Sequence, residues 1–286
     1  MAILNGVLKK LSGSVGNLTF ARLNGQTVVK EKVEKKATPV RTLAQMTRRM
    51  QWANIINLWR QFNGNLHPSF ENKASSVSDY NEFVSANIGI VPVYLTKSMA
   101  TEGGCVVAGY QVTRGSMPSV RVYDAAGDVP ATDIELGDIT LSNATTVAEF
   151  SQAVIDNNVA YANGDEITSF LVNQKENSET GTPYVNVLAQ QITLDTSDTT
   201  TKLRDVVDAS TFSVADNRLG CASTIEGAVT WVHSRKTSSG TKVSTQRLTV
   251  YNDLLSQYQS SAALEKAYLS YGGLNTEQYL TPNSES

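Results

Sequence analysis

Asn24-Gly25 stands between Phe20-Ala21-Arg22-Leu23 and Gln26-Thr27-Val28-Val29, and no other stretch limits the fold of this chain so sharply. A type I′ turn needs positive φ at both central residues, which Asn and Gly tolerate, so residues 19–30 are expected to form a two-stranded hairpin. Such a ribbon is at best marginally stable alone in water and must pack against something else. Gly6, Gly13 and Gly16 upstream imply repeated turns or a close backbone approach before it.

A basic tether then leads into the strongest helical signal. Thr42 and Gln45 have capping-box spacing, and Pro39 keeps the approach extended. Leu43, Met46, Met50, Ala53 and Ile56 recur at three- and four-residue steps, with Leu58, Trp59 and Phe62 widening the stripe, so a helix is expected over residues 42–62. It reads either as the core helix of an ordinary domain or as a partner-facing helix. The second reading rests on Trp52 and Trp59, because large aromatics are common interface anchors.

Charge sharpens the view of this region. Residues 1–60 hold eleven Lys and Arg against Glu31 and Glu34, whereas residues 61–286 hold thirteen against twenty-five Asp and Glu, and the whole chain carries −3. The asymmetry implies either a solvated charged segment or a basic arm that meets a negative surface, nucleic acid or the acidic body of a neighbouring subunit. The candidate contact residues are Arg22, Lys30, Lys32, Lys35, Lys36, Arg41, Arg48 and Arg49, together with Trp52 and Trp59. Without a helix-turn-helix, zinc-finger or stacking motif, nucleic-acid contact would be backbone-directed and non-specific.

Beyond the helix, a second one is expected to open at Ser76, with Tyr80, Phe83 and Val84 on one face, and residues 88–95 read as an apolar crossing or edge segment broken by Pro92. From Gly104 onward the apolar period shifts towards two. Strands are expected over residues 105–112, 120–123, 133–140, 166–173, 184–194, 212–214, 228–234 and 243–251, with a short helix opening at Thr145 or Thr146 and a closing helix over 254–269. The fold class is thus α+β: a mainly antiparallel, β-sandwich-like body with an N-terminal hairpin plus helix and a C-terminal helix. The expected division is 1–90 for the arm, hairpin and helices, 91–251 for the β-rich body, and 252–286 for the closing helix and tail.

The chemistry-bearing residues are few. Cys105 and Cys221 are the only cysteines and share no Cys-x-x-Cys spacing, and His67 and His233 are the only imidazoles, so two buried thiols, no metal and no cofactor are expected. Gly13-Ser14-Val15-Gly16-Asn17 lacks the Gly-Lys-Ser/Thr ending of a phosphate loop. Asp165-Glu166 and Asp133/Glu135 read as capping and solvated carboxylates, and His233 as a packed strand histidine. A non-enzymatic protein without a small-molecule substrate is expected. No run of eighteen apolar residues occurs and Met1 to Val7 is too polar for a secretion signal, so synthesis in cytoplasm and no membrane partner are expected.

Gly13-x-x-Gly16-Asn17-Leu18, Arg22-Leu23-Asn24-Gly25-Gln26-Thr27-Val28-Val29-Lys30 and Thr38-Pro39-x-Arg41-Thr42-x-Ala44-Gln45 with Arg48-Arg49-Met50 resemble the start of an uncharacterised family common in gut Bacteroidota and their phages and prophages. Ser234-Arg235, Gly240, Ser244-Thr245-Gln246 and Ser270-Tyr271-Gly272 look like its closing segments. The resemblance covers the first 65 residues well, the last 60 loosely and the middle hardly at all. It implies a virion component, capsid-associated or tail-associated, of a phage of the crAss-like kind, with other virion proteins and copies of itself as partners, and it carries no catalytic residues. The alternatives are a bacterial β-sandwich surface or binding module and a nucleic-acid-associated packaging protein.

Overall fold

The computed structural model describes residues 2–4, 12–23, 26–32, 42–62, 64–66, 69–74 and 76–272. The chain divides into two compact units, Met1–Arg41 and Thr42–Ser286.

In the first unit the expected hairpin is present and extended on both sides. Strands β1 (Ala2–Leu4), β2 (Gly13–Val15), β3 (Leu18–Leu23) and β4 (Gln26–Glu31) form an antiparallel sheet in the order β1-β4-β3-β2. β3 and β4 pair from Leu18↔Glu31 to Leu23↔Gln26, which leaves two residues for the turn; Asn24 and Gly25 themselves lie outside the described residues. Val15 faces Leu18 across a second tight turn, where Gly16 takes φ +56°. Added strands therefore answer the marginal stability of a lone ribbon.

The second unit begins with α1 (Leu43–Phe62), whose Thr42 hydroxyl accepts from the Gln45 N–H at 3.3 Å. Next comes α2 (Asp79–Asn87), capped by Ser78 and not by Ser76 as expected. The reason is tertiary. Asp79 is buried, accepts from the Ser69 and Phe70 N–H groups and pairs with Lys73, so it opens the helix as a structural carboxylate. Residues 88–96 cross without forming a strand, and α3 (Lys97–Thr101) follows.

Residues 105–112, expected as a strand, are mostly irregular, and only β5 (Gln111–Thr113) is extended and paired. Their alternation reflects burial, since Cys105, Val106, Val107 and Ala108 are all fully buried. The backbone there is satisfied by side chains of Asn54, Asn57, Gln174 and Asn252 in place of a ladder.

The remaining strands and helices build the body. β6 (Val122–Ala125) and β7 (Val129–Glu135) precede α4 (Val147–Asn157), where Thr146 and Glu149 close a full capping box. β8 (Glu166–Glu176) and β9 (Pro183–Thr193) pair over eleven residues without a break, from Glu166↔Thr193 to Glu176↔Pro183. α5 (Leu203–Val206), β10 (Ser213–Ala215) and β11 (Arg218–Gly220) lead to β12 (Gly227–Thr237). The expected last strand, residues 243–251, is broken: β13 (Gly240–Val243) ends where it was to begin, and β14 (Gln246–Arg247) and β15 (Thr249–Tyr251) follow.

The central sheet runs β13-β12-β8-β9, with β15 also beside β12; a smaller sheet runs β10-β11-β7-β6, and β14 pairs with β5. Period-two alternation directs the two faces of the central sheet to different cores. Phe170, Val172, Val185, Ala228 and Val232 meet Ile55, Leu58 and Phe62 of α1 and Phe83 and Val84 of α2. Ile167, Leu171, Ile192, Val229 and Trp231 meet Phe150 and Val154 of α4, Ile134 of β7 and Leu219 of β11. A sandwich-like stack thus exists on the second face, while helices close the first.

α1 is consequently part of the body's core. Residues 42–90, grouped with the arm on sequence, lie within the second unit because the apolar stripe of α1 is what covers the central sheet. Gly227 is required by close approach: at φ +142° an added Cβ would fall 1.9 Å from the Val172 carbonyl oxygen of β8. The closing helix is two, α6 (Leu254–Gln259) and α7 (Ser261–Ser270), because Ser260 turns extended and caps α7 through the Ala263 N–H. Ala267 and Tyr268 of α7 pack on Met46 and Met50 of α1.

Candidate functional site

The sequence-predicted contact residues are distributed over both units. Lys30 on β4 and Lys32 beyond it are exposed, whereas Lys35, Lys36 and Arg41 lie outside the described residues, as does the side chain of Arg22. On α1, Arg48 and Arg49 are exposed and Trp52 is 43% exposed, three and four residues further along the same face. Trp59 is different. Its ring packs at 5.2 Å from Phe83 and 5.8 Å from Tyr80, so it anchors α2 on α1. One helix therefore presents a buried stripe to the sheet and an Arg48-Arg49-Trp52 stripe outward, the composition of an interface anchor.

The acid excess of residues 61–286 is concentrated in one segment. From Arg121 to Glu226, the segment that builds the smaller sheet, α4, β8, β9 and α5, there are seventeen Asp and Glu against five Lys and Arg. The other parts of residues 61–286 hold eight of each and are neutral. Asp124, Asp128, Asp133, Glu135, Asp138, Asp156, Asp205, Asp208 and Asp216 are all exposed, so the acid excess is a surface property.

Asp165, expected as a capping or solvated carboxylate, belongs instead to a buried constellation. Asp165 is only 1% exposed, and in the β8–β12 register it falls beside Arg235, with His233 opposite Ile167. Arg235 donates to both Asp165 oxygens, Nε to Oδ1 at 2.5 Å and a terminal nitrogen to Oδ2 at 2.6 Å, and His233 Nε2 lies 2.8 Å from Oδ2. Tyr161 stacks on the imidazole at 4.0 Å. Burial raises the carboxyl's pKa, but Arg235, His233 and the Ala162 N–H overcome it and hold Asp165 below the usual carboxylate range. Burial pushes His233 down against the pull of Asp165, leaving it neutral.

His233 also borders a cavity of about 360 Å³ with Tyr161, Asp133, Glu135 and Asn158. No hydroxyl or thiol bonds to the His233 ring among the described residues; Ser244 Oγ accepts from its backbone N–H instead. The arrangement is a cross-strand clamp that ties β12 to the start of β8. A larger groove of about 440 Å³ lies on the central sheet, lined by Thr168, Ser234, Gln191 and Thr241, with Glu166 and Lys236 paired at 2.6 Å. No group of three His, Cys, Asp or Glu is placed to hold a metal among the described residues, and no described helix is long and apolar enough to cross a membrane.

No protein-family model matches the chain, and no curated protein or solved structure shows a significant similarity to it.

The cross-strand clamp had a faint signal, since Asp165-Glu166 and Ser234-Arg235-Lys236 have opposite charges at the two ends of apolar runs. Their pairing depends on register, which is decided by the sheet and not by either strand.

Proposed function

We propose that this chain is a non-enzymatic structural subunit of a bacteriophage virion, capsid-associated or belonging to a tail or connector ring, and that it assembles through its N-terminal unit. The observation that carries the reading is the division of the chain into a separate compact unit with eight Lys and Arg against two Glu, and a body whose acid excess is confined to residues 121–226. Opposite patches on two units of one chain are suited to contacts between copies, where the arm of one subunit lies on the acidic lobe of the next. Repeated head to tail, such contacts close into rings or extend into lattices. The exposed Arg48-Arg49-Trp52 stripe on α1 offers the second unit a basic contact surface of its own. The phage assignment rests on the resemblance of the 13–50 residue pattern to a phage-associated family.

Quantifying this chain against the major capsid protein in purified particles tests the reading. Near-equal amounts place it in the lattice or as its decoration, a small symmetric copy number places it in a ring, and its absence from particles ends the virion reading. Deleting residues 1–39 is expected to abolish incorporation and leave the body folded. Binding to nucleic acid that weakens steeply with salt and loses slope in Arg48→Ala/Arg49→Ala would instead favour a packaging role.

A further inference from the structure

β9 is the outer strand of the central sheet, and no strand lies beyond it among the described residues. Outer strands are usually shortened, bulged, or guarded by charge or an internal proline. β9 has none of these devices. It is eleven residues long, its register with β8 runs without a bulge, and Pro183 stands at its first position. From Tyr184 to Thr193 it contains no Asp, Glu, Lys or Arg. The other outer strands of the body, β6, β10, β13 and β15, have four residues or fewer, and β13 carries Lys242.

The backbone directions can be read from the strand ends. Thr182 O accepts from Asn177 N and Leu194 N donates to Asp165 O, so even-numbered residues turn their polar groups towards β8. Pro183 O turns the other way and accepts from Cys105 N. By alternation, the N–H and C=O groups of Val187, Ala189, Gln191 and Thr193 point at the free edge. No described residue bonds to them. Asn186, Gln191 and Thr193 are exposed, and Leu188 is 37% exposed.

We infer that this edge is a two-fold self-pairing site, where β9 of a second copy of this chain adds in antiparallel register and joins the two central sheets. A self-paired antiparallel edge needs no complementary sequence, because the two-fold axis brings each donor to the matching acceptor. Uncharged side chains impose no like-charge repulsion across the axis, and they offer the basic arm nothing to recognise. The edge therefore fits a copy of itself better than it fits residues 1–41. With the axis at Gln190, Val187 faces Thr193 and Ala189 faces Gln191 of the other copy, giving about eight new backbone hydrogen bonds. Leu188 then lies opposite Ile192 of the copy and loses its exposure. This inference is independent of the arm and of the particle.

The test uses the full chain. Sedimentation over a concentration series is expected to show a reversible species of twice 30.9 kDa. Ala189→Pro removes an N–H that points outward and leaves the β8 ladder intact, and Gln191→Lys places a charge on the edge; each is expected to give a monomer with an unchanged melting temperature. Two Gln190 positions would meet as a non-hydrogen-bonded pair, with Cα atoms about 4.5 Å apart, near enough for a disulfide. Gln190→Cys is thus expected to form a reducible dimer under mild oxidation. A wild-type chain that stays monomeric at several hundred micromolar overturns the inference, as does a dimer that survives Gln191→Lys and fails to cross-link through Gln190→Cys. Contacts made through the arm would give an oligomer with that second behaviour.

Discussion

Asn54 holds Val106 by both ends of its peptide polarity: Oδ1 accepts from the Val106 N–H at 2.8 Å, and Nδ2 donates to the Val106 carbonyl at 3.0 Å. The same Nδ2 reaches the Tyr110 hydroxyl at 3.0 Å. Asn57 serves the Gly104 carbonyl, Gln174 serves the Cys105 carbonyl and the Val107 N–H, and Asn252 serves the Val107 carbonyl. Gly104 and Cys105 donate to Met99 and Pro183 carbonyls, which completes the set from Gly104 to Val107. Four amide side chains thus replace a neighbouring strand in the interior. Asn54→Leu would leave both polar groups of Val106 unpaired at a fully buried site, and is expected to cost about 3 kcal/mol or more. Urea unfolding would show this as a lower midpoint with an unchanged slope.

Trp52 and Trp59, seven residues apart on α1, are expected to respond in opposite ways. Trp59→Ala empties space against Tyr80 and Phe83 and should destabilise the body by about 3–5 kcal/mol. Trp52→Ala should leave the melting temperature within a degree or two and reduce incorporation into particles. A reversal of the two effects would remove α1 from the proposed contact.

The Asp165–His233–Arg235 clamp gives stability a pH dependence. His233 has a folded pKa below its ordinary 6.5, so the unfolded chain takes up the proton first as pH falls. Stability is therefore level above 6.5 and declines as pH drops towards the folded value. Asp165, held below 3.8, keeps its contribution through that range and loses it only at more acidic pH. His233→Asn is expected to flatten the slope below pH 6.5, where the wild type loses at most about 1.4 kcal/mol per pH unit. Chemical denaturation across that range measures it, and an unchanged slope would point to another group.

Cys105 and Cys221 are buried, and burial pushes both thiols up to about 12. Neither is expected to react with a thiol reagent at neutral pH in the native chain, and both should titrate after denaturation. Rapid labelling of the folded protein would show that one of the two cores opens locally.

Local rules settled much of the architecture from sequence alone. The Asn24-Gly25 pair set a two-residue connection, Thr145 or Thr146 the start of a short helix, and the alternation in residues 166–173 and 184–194 two strands, because each depends on neighbours within a few positions. Asp216-Asn217, both at positive φ between β10 and β11, carried the same kind of turn signal and could have been read as a hairpin. The basic arm and the two isolated cysteines were also legible, since charge counts and cysteine spacing need no fold.

Other features required the tertiary structure. Alternation in residues 105–112 records burial on two sides, and only the positions of Asn54, Asn57 and Gln174 decide that side chains, not a strand, satisfy that backbone. Whether Trp52 or Trp59 faces outward depends on which stripe of α1 meets the central sheet. Asp165 and Arg235, seventy residues apart, become neighbours through the β8–β12 register. The sequence by itself determines local geometry and charge, because these follow from adjacent residues; which surfaces remain free for partners is decided by long-range packing, because burial belongs to the whole chain.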